Sequence, residues 1–217
     1  MSNIKTHIQR PDPELIILAS NFSSATLHEA AGKKGALPSE IKPLSHDIKL
    51  CGPAITVSSS PADNLTIHEA ILVAQPGDVL VVEVSGVYEA GYWGDIMTHA
   101  ARERQINGLI IDGCVRDGNE IKEMDFPVFS RGLCIRGTSK NGGGFINHPL
   151  KMGEVRIMPG DLVLGDGDGI VVIPQMEIPS VLEQAQKREE HEKWIREELK
   201  KGKTTVELYG WNTQLIL

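Results

Sequence analysis

Through the middle of the chain, short β-branched apolar runs alternate with stretches of helical periodicity. Residues 52–59 (GPAITVSS) read as a strand, 64–74 as a helix and 78–84 (DVLVVEV) as a Val-rich strand. A helix over 95–105, a strand over 108–112 (GLIID), a helix over 118–124 and a short strand over 127–130 continue the series. Strands separated by single helices form βαβ units, with parallel strands and right-handed crossovers. Ligands bind such sheets beyond the carboxyl ends of the strands. The glycine-rich loop after 78–84 ends at Asp95, and the loop after 108–112 ends at Arg116 and Asp117. The three charged side chains are therefore expected to converge on one edge of the sheet.

The flanks follow other patterns. Pro11 and Pro13 mark an extended start, and residues 14–22 and 26–31 read as two short helices, the second opened by Thr26 with Glu29 three positions on, a capping-box pattern. TLHEA at 26–30 is echoed by TIHEA at 66–70, too short a match to establish a repeat. Residues 137–149 (GTSKNGGGFINHP) read as a flexible loop, and 154–174 as two strands joined through GDGDG at 165–169. That junction reads as turn chemistry, because the further ligands of a calcium loop are missing. A long charged helix spans 175–201. Ile178, Val181, Leu182 and Ala185 give it an apolar stripe, and Trp194, Ile195 and Leu199 resume one, but QKREEHEK (186–193) between them contains no apolar residue. A helix that loses its core face midway has entered solvent or crossed onto a neighbouring subunit. The expected division is a core domain over 1–174 and a C-terminal helix and tail over 175–217.

Composition narrows the function classes. With 217 residues, 41% of them hydrophobic, the chain fits one globular domain with a substantial core. A net charge of −7 argues against a nucleic-acid partner, which needs a basic face, but leaves room for a small anionic substrate met by local cations. Cys51, Cys114 and Cys134 are an odd number at wide spacing, with no CxxC pair. The N-terminus lacks a signal-peptide pattern and no apolar run is long enough to span a bilayer, so a cytoplasmic protein with no membrane partner is expected.

Each candidate residue has a structural as well as a chemical reading. Asp117 is a hard oxygen ligand suited to magnesium or manganese, or the N-cap of the helix that follows it. Arg116 offers a fixed charge and a planar fork for a carboxylate or a developing enolate, or a surface ion pair. Gly94, Asp95, Ile96 and Met97 mark a helix start, where free N–H groups and the helix dipole favour an anion. Asp95 either caps that helix or holds a catalytic water. His28-Glu29 and His68-Glu69 begin like HExxH but lack the second His, no lysine lies inside an apolar strand, and there is no GxSxG elbow.

The segments GYWGDIM (91–97), GLIIDGCVRD (108–117), FPVFSRG (126–132) and GDGDGIVVIP (165–174) resemble the 4-hydroxy-4-methyl-2-oxoglutarate / 4-carboxy-4-hydroxy-2-oxoadipate aldolases. These share a fold with the regulator of ribonuclease activity A (RraA), and the similarity runs from about residue 12 to 209. The resemblance implies an α/β class, RraA-like swivelling β/β/α domain with parallel βαβ units and a long C-terminal helix, assembled as a homotrimer or homohexamer with active sites between subunits. It makes Asp117 the anchor of a divalent metal, Mg2+ or Mn2+, and Arg116 the contact to the keto oxygen of pyruvate. Amides around Gly94, Asp95, Ile96 and Met97 would hold the pyruvate carboxylate. A glutamate from a neighbour's terminal helix would complete the site, with Glu192 the best match and Glu189 the second. The implied activity is a class II pyruvate aldolase acting on a small oxo acid, with oxaloacetate decarboxylation as a side reaction. Lys140 and Asn147 fit the resemblance, while the triple glycine and His148 in 137–149 depart from it, which bears on substrate choice. Two other classes remain: a non-catalytic, RraA-like regulator that binds a ribonuclease, and a methyltransferase. The latter would need a glycine-rich loop directly after the 52–59 strand, which is absent.

Overall fold

The computed structural model describes residues 3–45 and 47–212. It opens with helices α1 (Pro13–Ser20) and α2 (Ser24–Ala30). Asp12 caps α1 by accepting the Glu14 N–H, with Pro13 at the first helical position, where an N–H has no intrahelical partner to lose. The expected cap of the second helix is corrected: Ser23, not Thr26, is the N-cap of α2, and its Oγ accepts the Thr26 N–H at 3.0 Å. The helix starts early because Asp166, far along the chain, holds both the N–H (2.7 Å) and the hydroxyl (2.6 Å) of Ser24.

Strands β1 (Lys42–Pro43) and β2 (Leu50–Ser58) precede α3 (Leu65–Val73), β3 (Val79–Glu83), α4 (Asp95–Glu103) and β4 (Gly108–Ile111). Then come β5 (Cys114–Val115), α5 (Gly118–Glu123), β6 (Val128–Ser130), β7 (Gly132–Leu133), β8 (Phe145–Ile146) and β9 (Leu150–Met152). The chain continues through β10 (Val155–Ile157), β11 (Leu162–Gly165), β12 (Ile170–Ile173), a 3-10 turn (Gln175–Glu177), α6 (Ile178–Lys200) and α7 (Thr205–Tyr209). The main sheet has the order β1-β6-β4-β3-β2-β11-β12, with β8 also on β2. Strands β2, β3, β4 and β6 are parallel, as the alternating pattern predicts; β1, β8, β11 and β12 join antiparallel and make the sheet mixed.

Side-chain alternation in the parallel strands explains their nearly continuous apolar character. Leu80 and Val82, with Ile55, Val57, Leu109 and Ile111, face the helix layer and meet Ile67, Ile71, Met97, Ala101 and Ile121. Val79, Val81, Ala54 and Ile110 face the other way, against Leu37, Ile41, Phe129, Met152 and Ile157. Both faces are covered, so neither can be polar.

A third cluster joins Ala19, Phe22, Leu27, Leu164, Val171 and Ile173 to Ile178, Val181, Leu182 and Ala185. The first half of α6 is thus part of its own chain's core, each large aliphatic side chain contributing about 1.5–3 kcal/mol. Beyond Ala185 only Ile195 and Glu198 are buried, while Trp194 is 47% exposed. Residues 154–174 hold three strands rather than the expected two: β10 pairs with β9, and β11 with β12 form the hairpin. Asp166 in its turn also accepts the Asp168 N–H, so the glycine-aspartate junction is a turn and a clamp on α2. Among the described residues no helix is long and apolar enough to cross a membrane.

Candidate active site

The loops after β3 and β4 meet edge to edge. Gly91 bridges to Cys114, and the Arg116 N–H donates to the Trp93 carbonyl at 2.8 Å. The buried rings of Tyr92 and Trp93 anchor the first loop: Tyr92 donates its hydroxyl to the Val87 carbonyl (2.6 Å) and Trp93 its indole N–H to Thr98 (2.7 Å). Arg116, Asp117 and the start of α4 are thereby brought together.

Asp117 stands at the N-cap position of α5 but makes no side-chain cap bond to it. Its backbone is left-handed (φ 57°, ψ 42°), a conformation that L side chains rarely adopt and that recurs at functional sites. Its Oδ2 instead accepts the N–H of Asp95 at 3.2 Å and lies 3.5 Å from Arg116 Nε. The capping reading of Asp117 therefore fails, and the carboxylate serves the neighbouring loop. Gly94 makes that approach possible, because a Cβ there would fall on Asp117 Oδ2. Asp95 is not a cap either: Gly94 holds that position and Asp95 is the first helical residue. Its N–H is taken by Asp117, so it is not one of the amides left for an anion.

Beside these groups opens a cleft of about 260 Å³, whose lining includes Gly94, Asp95, Ile96, Met97 and Arg116. Ile96 is exposed and Met97 buried, its sulfur 3.5 Å from Asn64 Nδ2. Asn64, His68, Thr138 and Lys140 also belong to the lining, and of these only Lys140 figured in the sequence reading of the site. The topological rule that located Asp95 and Arg116 names Asn64 when applied to the loop after β2. His68 was dismissed as half a metal motif. Burial, and then the charge of Lys140, hold the His68 imidazole below its ordinary pKa. Asn64 donates to the Tyr92 carbonyl at 2.9 Å, while its buried Oδ1 has no protein partner. Arg116 and Lys140 thus present two cations to one cleft.

Glu192 and Glu189 are elsewhere in the chain, in a surface hollow with Glu190 and Thr26. Glu192 is held by Arg188 (2.9 Å) and Arg196 (3.5 Å) on its own helix. Within a single chain neither glutamate reaches the cleft.

For a metal ion, the described residues contain no group of three or more His, Cys, Asp or Glu that could enclose one. The donor set fits a different kind of ion. Asp117, released from capping, offers one partly exposed carboxylate, with Asp95 at the facing helix start, and such sparse oxygen sites suit magnesium, which keeps most of its waters.

The Aldolase/RraA family model matches residues 20–172. The chain belongs to the RraA-like family. A protein of Halalkalibacterium halodurans named "Putative 4-hydroxy-4-methyl-2-oxoglutarate aldolase" is 40% identical over 153 residues, 70% of this chain and 73% of that one. RraAS2 of Streptomyces coelicolor, described as an unusual member of the RNase ES inhibitor RraA family, superposes with a TM-score of 0.78 at 30% identity, covering 88% of this chain and 99% of its own. A Geobacillus kaustophilus structure titled S-adenosylmethionine: 2-dimethylmenaquinone methyltransferase gives 0.66 at 32% identity, covering 70% and 95%. The RraA-like fold is thus the one read from the sequence, with its mixed sheet and long C-terminal helix.

Proposed function

We propose that this RraA-like protein is a divalent-metal-dependent pyruvate aldolase. It would cleave 4-hydroxy-4-methyl-2-oxoglutarate or 4-carboxy-4-hydroxy-2-oxoadipate to pyruvate and a second 2-oxo acid. The observation that carries the reading is Asp117: a strained, non-capping carboxylate fixed against the start of α4, with Arg116 beside it at the cleft. In this reading the start of α4 receives the substrate carboxylate, and Arg116 receives the keto oxygen and stabilises the enolate formed as the C3–C4 bond breaks. Lys140, which also lines the cleft, meets the remote carboxylate. The proton of the C4 hydroxyl goes to a base in the cleft, for which His68 and Asp95 are the titratable groups at hand, and protonation of the enolate at C3 then releases pyruvate. A magnesium ion anchored by Asp117 would add positive charge where the enolate develops. Oxaloacetate would reach the same enolate by losing carbon dioxide. Glu192, or Glu189 behind it, would enter a neighbour's cleft in a trimer or hexamer, and a cytoplasmic setting suits a substrate of this kind.

The test is pyruvate release coupled to lactate dehydrogenase, with and without magnesium. Arg116→Ala should lower turnover by about a hundred- to a thousandfold with an unchanged circular dichroism spectrum. Near-normal turnover in that variant would sink the assignment. The similarity to an RNase inhibitor family favours a second reading, a non-catalytic regulator. Failure of the wild type to release metal-dependent pyruvate from either aldol substrate or oxaloacetate would favour it. The methyltransferase title finds less support, because β2 leads into residues 59–64, which contain no glycine and bind the 137–149 loop.

A further inference from the structure

Asp63 lies at the carboxyl end of the β2 loop, 2% exposed, and its carboxylate accepts four hydrogen bonds. Oδ1 takes the N–H of Leu65 (3.0 Å) and of Gly142 (3.1 Å); Oδ2 takes the Ser139 hydroxyl (2.7 Å) and the N–H of Asn141. Three of these donors belong to the 137–149 loop, more than seventy residues downstream. Burial pushes the Asp63 carboxyl up, but the Asn141 amide, the Ser139 hydroxyl and the Leu65 and Gly142 amides outweigh it and hold the group below the ordinary carboxylate range. The carboxylate is therefore ionised, and it faces donors only.

What those donors flank is Lys140. Ser139 and Asn141, its two neighbours in sequence, are the residues bound by Oδ2, so the backbone is fixed on both sides of the lysine. Further bonds tie the same strip down: Ser139 N–H to the Ala62 carbonyl (2.8 Å) and Asn64 N–H to the Ser139 carbonyl (3.1 Å). Gly142 and Gly143, at φ 78° and 94°, then turn the chain away. Residues 137–149, expected as a flexible loop, thus hold β8 and a bridge from Ser139 to Asp63, and carry a cleft-lining cation at a defined place.

We propose that Asp63 is the positioning residue for Lys140, setting where the second cation of the cleft stands and so how tightly the end of the substrate remote from the keto group is held. The proposal rests on the aldolase reading. An asparagine at position 63 would turn an amide N–H2 toward donors that the carboxylate satisfies, and the strip would loosen. Asp63 touches no substrate; its influence runs through Lys140.

The experiment compares full-length wild type, Asp63→Asn, Lys140→Ala and the double variant. In Asp63→Asn the amides of Asn141 and Gly142 should exchange with deuterium at least about tenfold faster, and trypsin should cut after Lys140. KM for 4-hydroxy-4-methyl-2-oxoglutarate should rise about tenfold with kcat within about threefold, the loss expected of one charged contact. Lys140→Ala should show the same split, and Asp63→Asn should add less than about twofold to it, since residues acting through one contact do not add. An unchanged KM in Asp63→Asn, or effects that multiply in the double variant, would overturn the proposal. Should Asp63→Asn fail to fold, Ser139→Ala removes one donor and keeps the charge, and about a twofold rise in KM is expected, none being a refutation. Wild-type protein that binds 2-oxoglutarate but releases no pyruvate overturns the aldolase reading alone. The Asp63 proposal is then decided by Kd for 2-oxoglutarate in the same four proteins, and absence of wild-type binding overturns both.

Discussion

A methyl group at position 94 would occupy the space that Asp117 Oδ2 fills. Because that oxygen is the end of a side chain and Gly94 has an extended backbone (φ −152°), the fold can absorb an alanine by displacing the carboxylate. Gly94→Ala should therefore lower kcat/KM about a hundredfold, as a misplaced active-site group does, while chemical denaturation finds stability within about 1 kcal/mol of wild type. Normal activity in Gly94→Ala would mean that the Asp117 contact to the α4 start is dispensable. At this scale the meeting of Arg116, Asp117 and the 94–97 turn was legible in the sequence, because these residues end the loops after neighbouring parallel strands. Asn64 and His68 were less so. They share the lining with Lys140, whose place depends on hydrogen bonds to Asp63 from a loop with no periodicity of its own.

The long helix α6 has its own electrostatic stop. Glu198 binds Lys201 and Lys203, each at 2.6 Å, and so gathers two cations where the helix dipole is negative. Hydrogen bonds from Lys201 and then Lys203 outweigh burial and bring the Glu198 carboxyl down from 4.5 to about 2. A folded pKa below the unfolded one stabilises the helix end above pH 4.5, and that contribution is lost as pH falls through about 2. Amide exchange should show the last turn of α6 protected until the pH falls into that window. Glu198→Gln should fray it already at neutral pH and remove the acid dependence; equal protection in both proteins would assign the stop to backbone capping alone. Elements as long as α6, or as periodic as the β2 to β6 series, could be read to within a few residues. The two-residue strands β1, β5, β7 and β8 could not, since each exists only because a distant segment supplies its hydrogen bonds. The start of α2 is the same case: its cap is set by Asp166 across the fold, which local sequence does not encode.

For the whole molecule, the question is how far one chain completes its own site. Arg116 and Lys140 bring two cations to the cleft of an acidic protein, beside Asp95, but Glu192 lies in a separate hollow with Thr26, on the part of α6 beyond the apolar stripe that ends at Ala185. If the aldolase assembles as proposed, Arg116 and Glu192 of each active site come from different subunits, and defective chains should rescue one another. Glu192→Gln should lower turnover by about ten- to a hundredfold, and Glu189→Gln much less if Glu192 is the residue that acts. An equal mixture of Arg116→Ala and Glu192→Gln chains, dissociated and reassembled together, should then recover about a quarter of wild-type activity, because random assembly in a closed ring pairs the two intact residues at one site in four. Were both residues to serve the cleft of their own chain, every site in the mixture would still lack one of them. A mixture no more active than the average of its parents would therefore remove the shared site and leave the ladder with Arg188 and Arg196 as the role of Glu192.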